Sequence, residues 1–253
     1  MAAERPAASP NAMQMGLVSV NVGLPAYLGQ HRGRPIESGI AKRPVTAEEI
    51  ELGWLNLEGD GQAELDVHGG RDKAVYAYPS EHLPAWSEEL GQELRPAAFG
   101  ENLTTVGGTE DDVCIGDRWE WGEALLEVAE PRWPCYKLAM YRGRGDIQRR
   151  LRQSGRTGWY MRVLQPGRVP VSGPITVVER HPAGATVRLC HDARSPSARS
   201  PSARSPSARS PSGGVPPEVV AALVDVEPLG DEWRGHLLRV LANLDRSGDA
   251  HSQ

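Results

Sequence analysis

The stretch EPRWPCYKL, residues 130–138, holds one cysteine in a stiffened backbone. Pro131 and Pro134 restrict the chain just before Cys135, and Arg132 and Lys137 supply positive charge close by in sequence. A thiol near cationic groups ionises more readily, and the thiolate is the form that attacks electrophiles or binds metal. The alternative is an inert buried thiol, because unpaired cysteine is among the most buried residue types.

Two further stretches combine polar side chains with glycine. In DVHGGRDKAVYAYP, His68 precedes Gly69 and Gly70, a pair that allows a sharp turn or the close approach of a ligand. In FGENLTT, Glu101 and Asn102 follow a glycine at the start of a predicted strand. Taken alone, each stretch is more typical of a structural turn than of a binding site.

The bulk composition predicts a soluble, reduced protein with a packed core. Hydrophobic residues make up 39% of the 253 residues, and a net charge of -5 gives no general attraction to nucleic acid or anionic membranes. The three cysteines, Cys114, Cys135 and Cys190, are too widely spaced for a disulfide framework. The N-terminus lacks a signal-peptide core, and no apolar run reaches the roughly 18 residues of a membrane span. We therefore expect a cytoplasmic protein in which Cys114 belongs to the core and Cys190, next to the linker, is incidental.

Common catalytic and nucleotide-binding motifs are absent from the sequence. It contains no phosphate-binding loop, dinucleotide fingerprint, nucleophile elbow, H-E-x-x-H or C-x-x-C. These absences argue against the familiar nucleotide-binding, hydrolase and zinc-binding classes.

Short strand-like runs dominate the first two thirds of the chain. LVSVNVG, KAVYAYP and ENLTT are typical of strands, and DRWEWGEALLEVAE predicts a hairpin that turns at residues 121–123. A long β segment follows, broken at Pro166 and again near Gly173. Many short strands with few helices predict a mainly β, barrel-like domain.

Helices are predicted in two places. Within the β domain, one helix is expected from Ser80 as N-cap to Gly91, and another from Asp146 as cap to Gly155. Near the C-terminus, PPEVVAALVDVE and DEWRGHLLRVLANL predict two helices, which are too short to bury an apolar face alone. They must therefore pack on each other, on the barrel or on a partner.

Composition divides the chain into four predicted parts. These are a leader over residues 1–15, the β domain over 16–180, a disordered linker over 181–214 and a helical tail over 215–247. The linker carries ARSPS four times in tandem from Ala193 to Ser212, with no apolar residue larger than alanine. Its arginines leave open a nucleic-acid-binding tail, but perfect short repeats are more typical of a tolerated flexible linker.

The motifs, taken in order, closely resemble the MOSC family, named for the C-terminal part of molybdenum cofactor sulfurase. The matching stretches are GDGQAELDVHGGRDKAVYAYP, FGENLTT, VCIGDRWEWGEALLEVAEPRWPCYKL and GRTGWYMRVLQPGRV. The likeness is nearest to the stand-alone bacterial branch linked with resistance to N-hydroxylated purines, which ends in a small three-helix domain. TVRLCHDA resembles the remains of the first of those helices, and the ARSPS repeat stands where helix is expected. The resemblance implies a MOSC-type β-barrel with a few short helices and a small C-terminal helical appendage.

The resemblance also implies roles for particular residues. Cys135 matches the hallmark cysteine of the family, which either ligates molybdenum or carries sulfur as a persulfide. Lys42 in GIAKRPV and His68 match the lysine and histidine that are grouped with this cysteine in a cavity. Glu101 and Asn102 match a further motif expected to line the same cavity.

Other residues are candidate contacts of the molybdenum cofactor (molybdopterin). Gly69 and Gly70 are expected beside it, and Arg132 and Arg162 are candidate partners of its phosphate because guanidinium suits bidentate phosphate contact. For both arginines, an ordinary surface salt bridge is the alternative. A solvated helix face is predicted for Arg142, Arg144, Arg149, Arg150 and Arg152.

Two main functions follow from the resemblance. The first is a molybdenum-dependent reductase of N-hydroxylated bases or related small molecules, with Cys135 as metal ligand, His68 as proton donor or polar group, and Lys42 as electrostatic partner. Because the sequence has no flavin, iron–sulfur or nicotinamide motif, this function requires an external electron-donor reductase. The second is a non-catalytic cofactor carrier or persulfide sulfur relay, and a third is an interaction protein that uses the repeat and tail. The sequence leaves the substrate and the oligomeric state open.

Overall fold

The computed structural model describes residues 13–63, 69–194 and 214–249. The strands are β1 (Gln14–Val22), β2 (Ala26–His31), β3 (Arg34–Ser38), β4 (Arg43–Pro44), β5 (Glu49–Leu52), β6 (Val75–Pro79), β7 (Leu103–Val106), β8 (Arg118–Trp121), β9 (Ala124–Pro131), β10 (Trp159–Gln165), β11 (Gly167–Pro170) and β12 (Gly173–Glu179). The α-helices are α1 (Leu83–Leu90), α2 (Tyr136–Arg142), α3 (Ile147–Ser154), α4 (Val187–Arg194), α5 (Pro217–Val224) and α6 (Asp231–Asp249). Two short 3-10 helices span Arg71–Lys73 and Ser80–His82.

Seven strands close into a barrel. In hydrogen-bonded order they are β12, β8, β9, β10, β6, β7 and β1, and β1 pairs back with β12 through Gln14 opposite Thr176. Neighbours in this ring are antiparallel except β6 and β7, which run parallel. The short β4 extends β1 outside the ring, and β5 with β11 and β2 with β3 form separate two-stranded sheets. The predicted mainly β barrel with small helices is confirmed.

Alternating side chains fill the barrel. In β10, Trp159, Met161 and Val163 are buried, while Tyr160 and Arg162 alternate to the outer face. The indole of Trp119 from β8 meets that of Trp159 edge-on inside the barrel, with ring centroids 5.9 Å apart. The hairpin between β8 and β9 turns at residues 122–123, as predicted, and the breaks on either side of β11 also match the sequence.

Helix α1 begins later than the sequence predicts. Ser80 lies in the 3-10 turn and its side chain caps no helix, so α1 starts at Leu83 with Pro84 in its first turn, where a missing N–H costs no hydrogen bond. Asp146 does stand at the N-cap of α3, but its carboxylate binds Arg144 and Arg150 instead of the helix N–H groups. The predicted ends of α1 and α3 at left-handed glycines are confirmed.

The helical tail packs against the barrel. Val220 and Leu223 of α5 and Trp233 and Leu237 of α6 are buried in the same apolar core as the barrel interior. Of the packing partners that the sequence leaves open for the two helices, the structure shows each other and the barrel.

Two predicted boundaries are corrected. The linker was placed over residues 181–214, but Val187–Arg194 forms α4, in which Val187, Cys190 and Ala193 are buried. The apolar side chains of VRLC supply a buried face, so this segment is helix and not linker. At the other end, β1 begins at Gln14, inside the predicted leader. Residues 1–12 and 195–213, with most of the ARSPS repeat, lie outside the described residues. Among the described helices, none is long and apolar enough to cross a membrane.

Candidate functional site

A pocket of about 100 Å³ opens beside the loop that joins β9 to α2. Its walls come from four segments and three single side chains, and the lining residues are Ser38, Gly39, Ile40, Lys42, Asp60, Gly61, Gln62, Ala63, Phe99, Gly100, Asn102, Arg132, Trp133, Cys135 and Lys137, with Lys73, Tyr76 and Tyr160. Of the predicted site residues, the pocket brings together Cys135, Lys42, Asn102 and Arg132. The site is therefore assembled from parts of the chain that are almost a hundred residues apart in sequence.

Cys135 is held by the loop that the two prolines stiffen. It is half-buried, has an extended backbone and directly precedes α2. The backbone N–H of Arg132 donates to the carbonyl of Gly158 at 3.1 Å, and Arg152 Nη2 donates to the carbonyl of Pro134 at 3.0 Å. The prediction of a solvated face was thus wrong for Arg152, whose guanidinium also lies 4.9 Å from the Trp133 ring. Cys114 is buried, as predicted, and Cys190, which the sequence places beside the linker, is buried in α4.

Arg132 is a buried guanidinium with unused donor capacity. The residue is 4% exposed, its Cζ lies 5.3 Å from the Tyr76 ring centroid, and no described group accepts a hydrogen bond from its Nη1. Burial by itself lowers the pKa of Arg132, but the neighbouring Tyr76, Tyr160 and Cys135 outweigh it and the pKa is raised. A buried cation with an unsatisfied donor in a pocket wall fits an anionic ligand group.

Lys42 enters the pocket as part of a polar network. Its ammonium pairs with Asp60, and Asn102 Nδ2 donates to the second oxygen of Asp60 at 2.9 Å. Asn102 Oδ1 in turn accepts the backbone N–H of Tyr76 at 3.1 Å, which ties the network to β6. Burial outweighs the attraction of Asp60 and lowers the pKa of Lys42. Asp60 is not among the predicted site residues, although its place between two glycines in EGDGQ marks a tight turn.

Glu101 lies behind the pocket and not in its lining, which corrects the prediction. Its carboxylate is fully buried and accepts the N–H groups of Ala97 at 2.8 Å and Phe99 at 2.9 Å and the hydroxyl of Thr104 at 2.9 Å. Burial raises the pKa of Glu101 although these donors oppose the shift. Glu101 therefore shapes the 97–100 loop that forms one wall, and Gly100 in that loop adopts a φ of 80° against Ile40.

Arg162 is not part of the pocket. Its three donor nitrogens bind Asp72 at 2.8 Å, Glu127 at 3.0 Å and the carbonyl of Pro228 at 2.8 Å, so the alternative of a salt-bridged arginine describes it correctly. These contacts occupy the guanidinium and join the barrel to the tail. Arg162 is therefore not a phosphate contact of the pocket.

Gly69 and Gly70 do not line the pocket, and the histidine before them lies outside the described residues. Gly69 and Gly70 precede the 3-10 helix Arg71–Lys73 and do not line the pocket, which corrects their placement beside a cofactor. His68 lies outside the described residues, so its place in the site stays a prediction.

Two lysines line the pocket beyond the predicted site residues: Lys137, which the sequence gives only as a nearby charge, and Lys73, which sequence reasoning missed. Lys137 is 3% exposed and its Nζ donates to the carbonyl of Glu37 at 3.0 Å. Lys73 contacts Glu232 and lies 3.8 Å from Glu130. Lysine is usually exposed, so its type alone gave no signal of burial. The described lining contains four cationic side chains, Lys42, Lys73, Arg132 and Lys137, and the carboxylate of Asp60.

The fold and the site define a closed β-barrel protein with a thiol in a cationic pocket, and the comparisons with known proteins identify its family. The family model described as MOSC domain matches residues 64–176. The Bacillus subtilis protein YflK is 44% identical over 187 residues, which cover 72% of this chain and 84% of YflK. The chain belongs to the MOSC domain family.

Two more relatives complete the comparison. The crystal structure of YiiM from Geobacillus stearothermophilus has a TM-score of 0.69 and 31% identity, and the match covers 90% of this chain and 99% of that chain. A Gibberella moniliformis protein named Reductase is 41% identical over 118 residues, covering 45% of this chain and 21% of that protein. The match to YiiM extends over the helical tail as well as the barrel, since it covers nearly the whole of both chains.

Proposed function

We propose that this chain is a molybdenum-cofactor-binding reductase that removes the N-hydroxyl oxygen from hydroxylated bases or related small molecules. The observation that carries the proposal is that Cys135 shares a pocket with a buried Arg132 whose Nη1 has no described acceptor. A thiolate suits a soft metal and a guanidinium suits phosphate, so these two groups fit the metal and the phosphate of molybdopterin. The name Reductase of the fungal relative supports the same reaction class.

The proposed reaction breaks one N–O bond and balances simply. The hydroxylamino group takes up two electrons and two protons, and the products are the amine and water. Bound molybdenum would supply the redox centre for this reduction. The electrons come from an external reductase, which the proposal requires as a partner.

The pocket residues contribute binding and protons. Arg132 and Lys137 supply positive charge for the cofactor phosphate, and Tyr76 and Tyr160 form aromatic walls for a flat base. Lys42 is the better proton donor of the lysines because its burial lowers its pKa toward neutrality, and Asp60 holds its ammonium in place. His68 stays the second proposed donor.

Metal content is the first test. Wild-type chain, Cys135→Ala and the control Cys114→Ala are purified in parallel from cells that make molybdopterin, and molybdenum is measured by mass spectrometry. We expect near-stoichiometric molybdenum in wild type and Cys114→Ala, and its loss in Cys135→Ala. Equal metal in both cysteine variants would refute Cys135 as the ligand.

Turnover is the second test. Wild-type chain is supplied with an N-hydroxylated purine and a chemical or enzymatic electron donor, and formation of the amine is followed by chromatography. Amine formation that depends on Cys135 supports the reductase. A metal-loaded chain that forms no amine with any donor would leave cofactor carriage as its function.

Sulfur relay is the second candidate, and the exposure of Cys135 at the pocket favours it. A half-buried thiol beside cationic groups is open to sulfur transfer from another protein. Mass spectrometry of the native chain tests it directly: an added sulfur atom on the Cys135 peptide, in protein without molybdenum, is the result expected for a relay and not for the reductase.

A further inference from the structure

Helix α6 reaches two walls of the pocket without lining it. The carboxylate of Glu232 contacts the ammonium of Lys73, which is a lining residue. The next residue, Trp233, meets the indole of Trp133, another lining residue, edge-on with ring centroids 6.0 Å apart. Two consecutive residues of the tail thus hold two separate walls.

The Lys73 ammonium lies between a barrel carboxylate and a tail carboxylate. Glu130 of β9 is 3.8 Å away and buried, and Glu232 of α6 is half-exposed and in direct contact. Burial lowers the pKa of Lys73, but Glu232 and Glu130 outweigh it and the pKa is raised, so the lysine stays charged. Glu232 is therefore the contact by which the tail holds one of the pocket's positive charges.

Trp133 packs against the guanidinium of Arg194 and against the indole of Trp233 in the tail. The guanidinium of Arg194 lies 4.1 Å from the Trp133 ring and 4.8 Å from the Trp233 ring, so a cation bridges the two indoles. Arg194 also contacts His236 of α6 at 2.7 Å. Because Trp133 lies between Arg132 and Cys135 in the loop, this packing holds the segment that carries the thiol.

We propose that Glu232 and Trp233 are positioning residues of the pocket, the first for the Lys73 ammonium and the second for Trp133 and the Cys135 loop. This inference rests on the proposed function only in taking this pocket as the functional site. In this inference the helical tail does not line the pocket. It acts on the site indirectly, by holding residues that do line it.

The test uses the reactivity of Cys135 toward two alkylating reagents. Iodoacetamide is neutral and iodoacetate is anionic, so the ratio of their rates reports local positive charge at the thiol. The full chain is used without added cofactor, and peptide mass spectrometry follows Cys135, with buried Cys114 and Cys190 as internal references. Thermal unfolding of each variant accompanies the assay.

Glu232→Gln is compared with Asp231→Asn, which removes the same charge one residue earlier on an exposed position of α6. We expect Glu232→Gln to change the iodoacetate-to-iodoacetamide ratio by about threefold or more, the scale of a lost ion pair, and Asp231→Asn to leave it near wild type. Equal changes in both variants would mean that Glu232 acts only through general charge, and would overturn its positioning role.

Trp233→Ala is compared with Trp233→Phe, which keeps an aromatic ring against Trp133. We expect the iodoacetamide rate of Cys135 to rise by about threefold or more in Trp233→Ala and to return toward wild type in Trp233→Phe. A folded Trp233→Ala chain with an unchanged Cys135 rate would overturn the role of Trp233. If Trp233→Ala does not fold, Trp233→Leu, which keeps apolar volume but loses the ring against Trp133, takes its place with the same expected rise, and a wild-type rate in that variant would overturn the role of Trp233. Neither assay needs molybdenum, so a chain that binds no metal would refute the proposed function and leave this inference standing.

Discussion

Glu130 is a buried carboxylate, and replacing it with glutamine should change how stability depends on pH. Burial is the main cause that raises its pKa to about 8 from 4.5, with Glu232 and Asp72 adding to the shift and Lys73 and Arg194 opposing it. Its Oε2 has no partner among the described residues. The folded chain therefore keeps a proton on Glu130 at a pH where the unfolded chain has lost it.

The sign and size follow from this difference. A group whose folded pKa is raised contributes stability that is complete below pH 4.5 and is lost as pH rises to about 8. At about 1.4 kcal/mol per pH unit, the loss over this window is on the order of 5 kcal/mol at most. Glutamine resembles the protonated acid and does not titrate, so Glu130→Gln should match wild type near pH 4.5 and become the more stable chain toward pH 8.

Urea unfolding at a series of pH values measures this difference. The informative quantity is the free energy of unfolding of Glu130→Gln minus that of wild type, since other titrating groups cancel. Glu179→Gln, at a half-exposed glutamate of β12, is the control and should show no comparable trend. A difference that stays constant with pH, or that favours wild type at high pH, would refute the reasoning.

Three other outcomes are expected. Asn102→Ala breaks a buried network and should lower the free energy of unfolding by about 2 to 4 kcal/mol in urea titrations. Gly91→Ala places a side chain at a φ of 65° where the new Cβ meets no neighbouring group, and the same measurement should show a loss of about 1 to 2 kcal/mol from the backbone conformation alone. Iodoacetamide should modify Cys135 in the native chain, whereas Cys114 and Cys190, whose pKa values are raised by burial, should react only after denaturation, as peptide mass spectrometry would show.

The strand pattern was predictable because turn residues and apolar alternation are local signals. The hairpin at residues 122–123 and the glycine ends of α1 and α3 follow directly from such signals. The start of α1 was missed because Ser80 has the right type for an N-cap but lies in a 3-10 turn. The side-chain type makes Ser80 a candidate N-cap. The backbone conformation determines whether the residue stands at the start of the helix.

The site residues that belong to sequence motifs could be predicted. Those whose role depends on a partner from a distant segment could not. Cys135, Lys42, Asn102 and Arg132 were all named from sequence and line one pocket. The prediction for Arg162 was wrong because its hydrogen-bond acceptors belong to three separate segments that only the fold brings together. Asp60 and Lys73 were missed for the same reason, since each is defined by burial and by a partner in another segment, and Lys137 was recognised only as a charge near Cys135.

The closure of the barrel by its first and last strands sets the order in which this chain can fold during synthesis. β1 leaves the ribosome early, yet its partners arrive late: Gly16 pairs with Val106, and Gln14 pairs with Thr176. Contacts this distant along the chain make folding slow, because a long loop must close before the pairing is formed. Until β12 has been translated, one edge of β1 carries unpaired backbone groups, and a nascent chain in this state is open to mispairing with its neighbours on a polysome. Chaperone binding to the nascent chain should therefore persist until the last barrel strand has emerged.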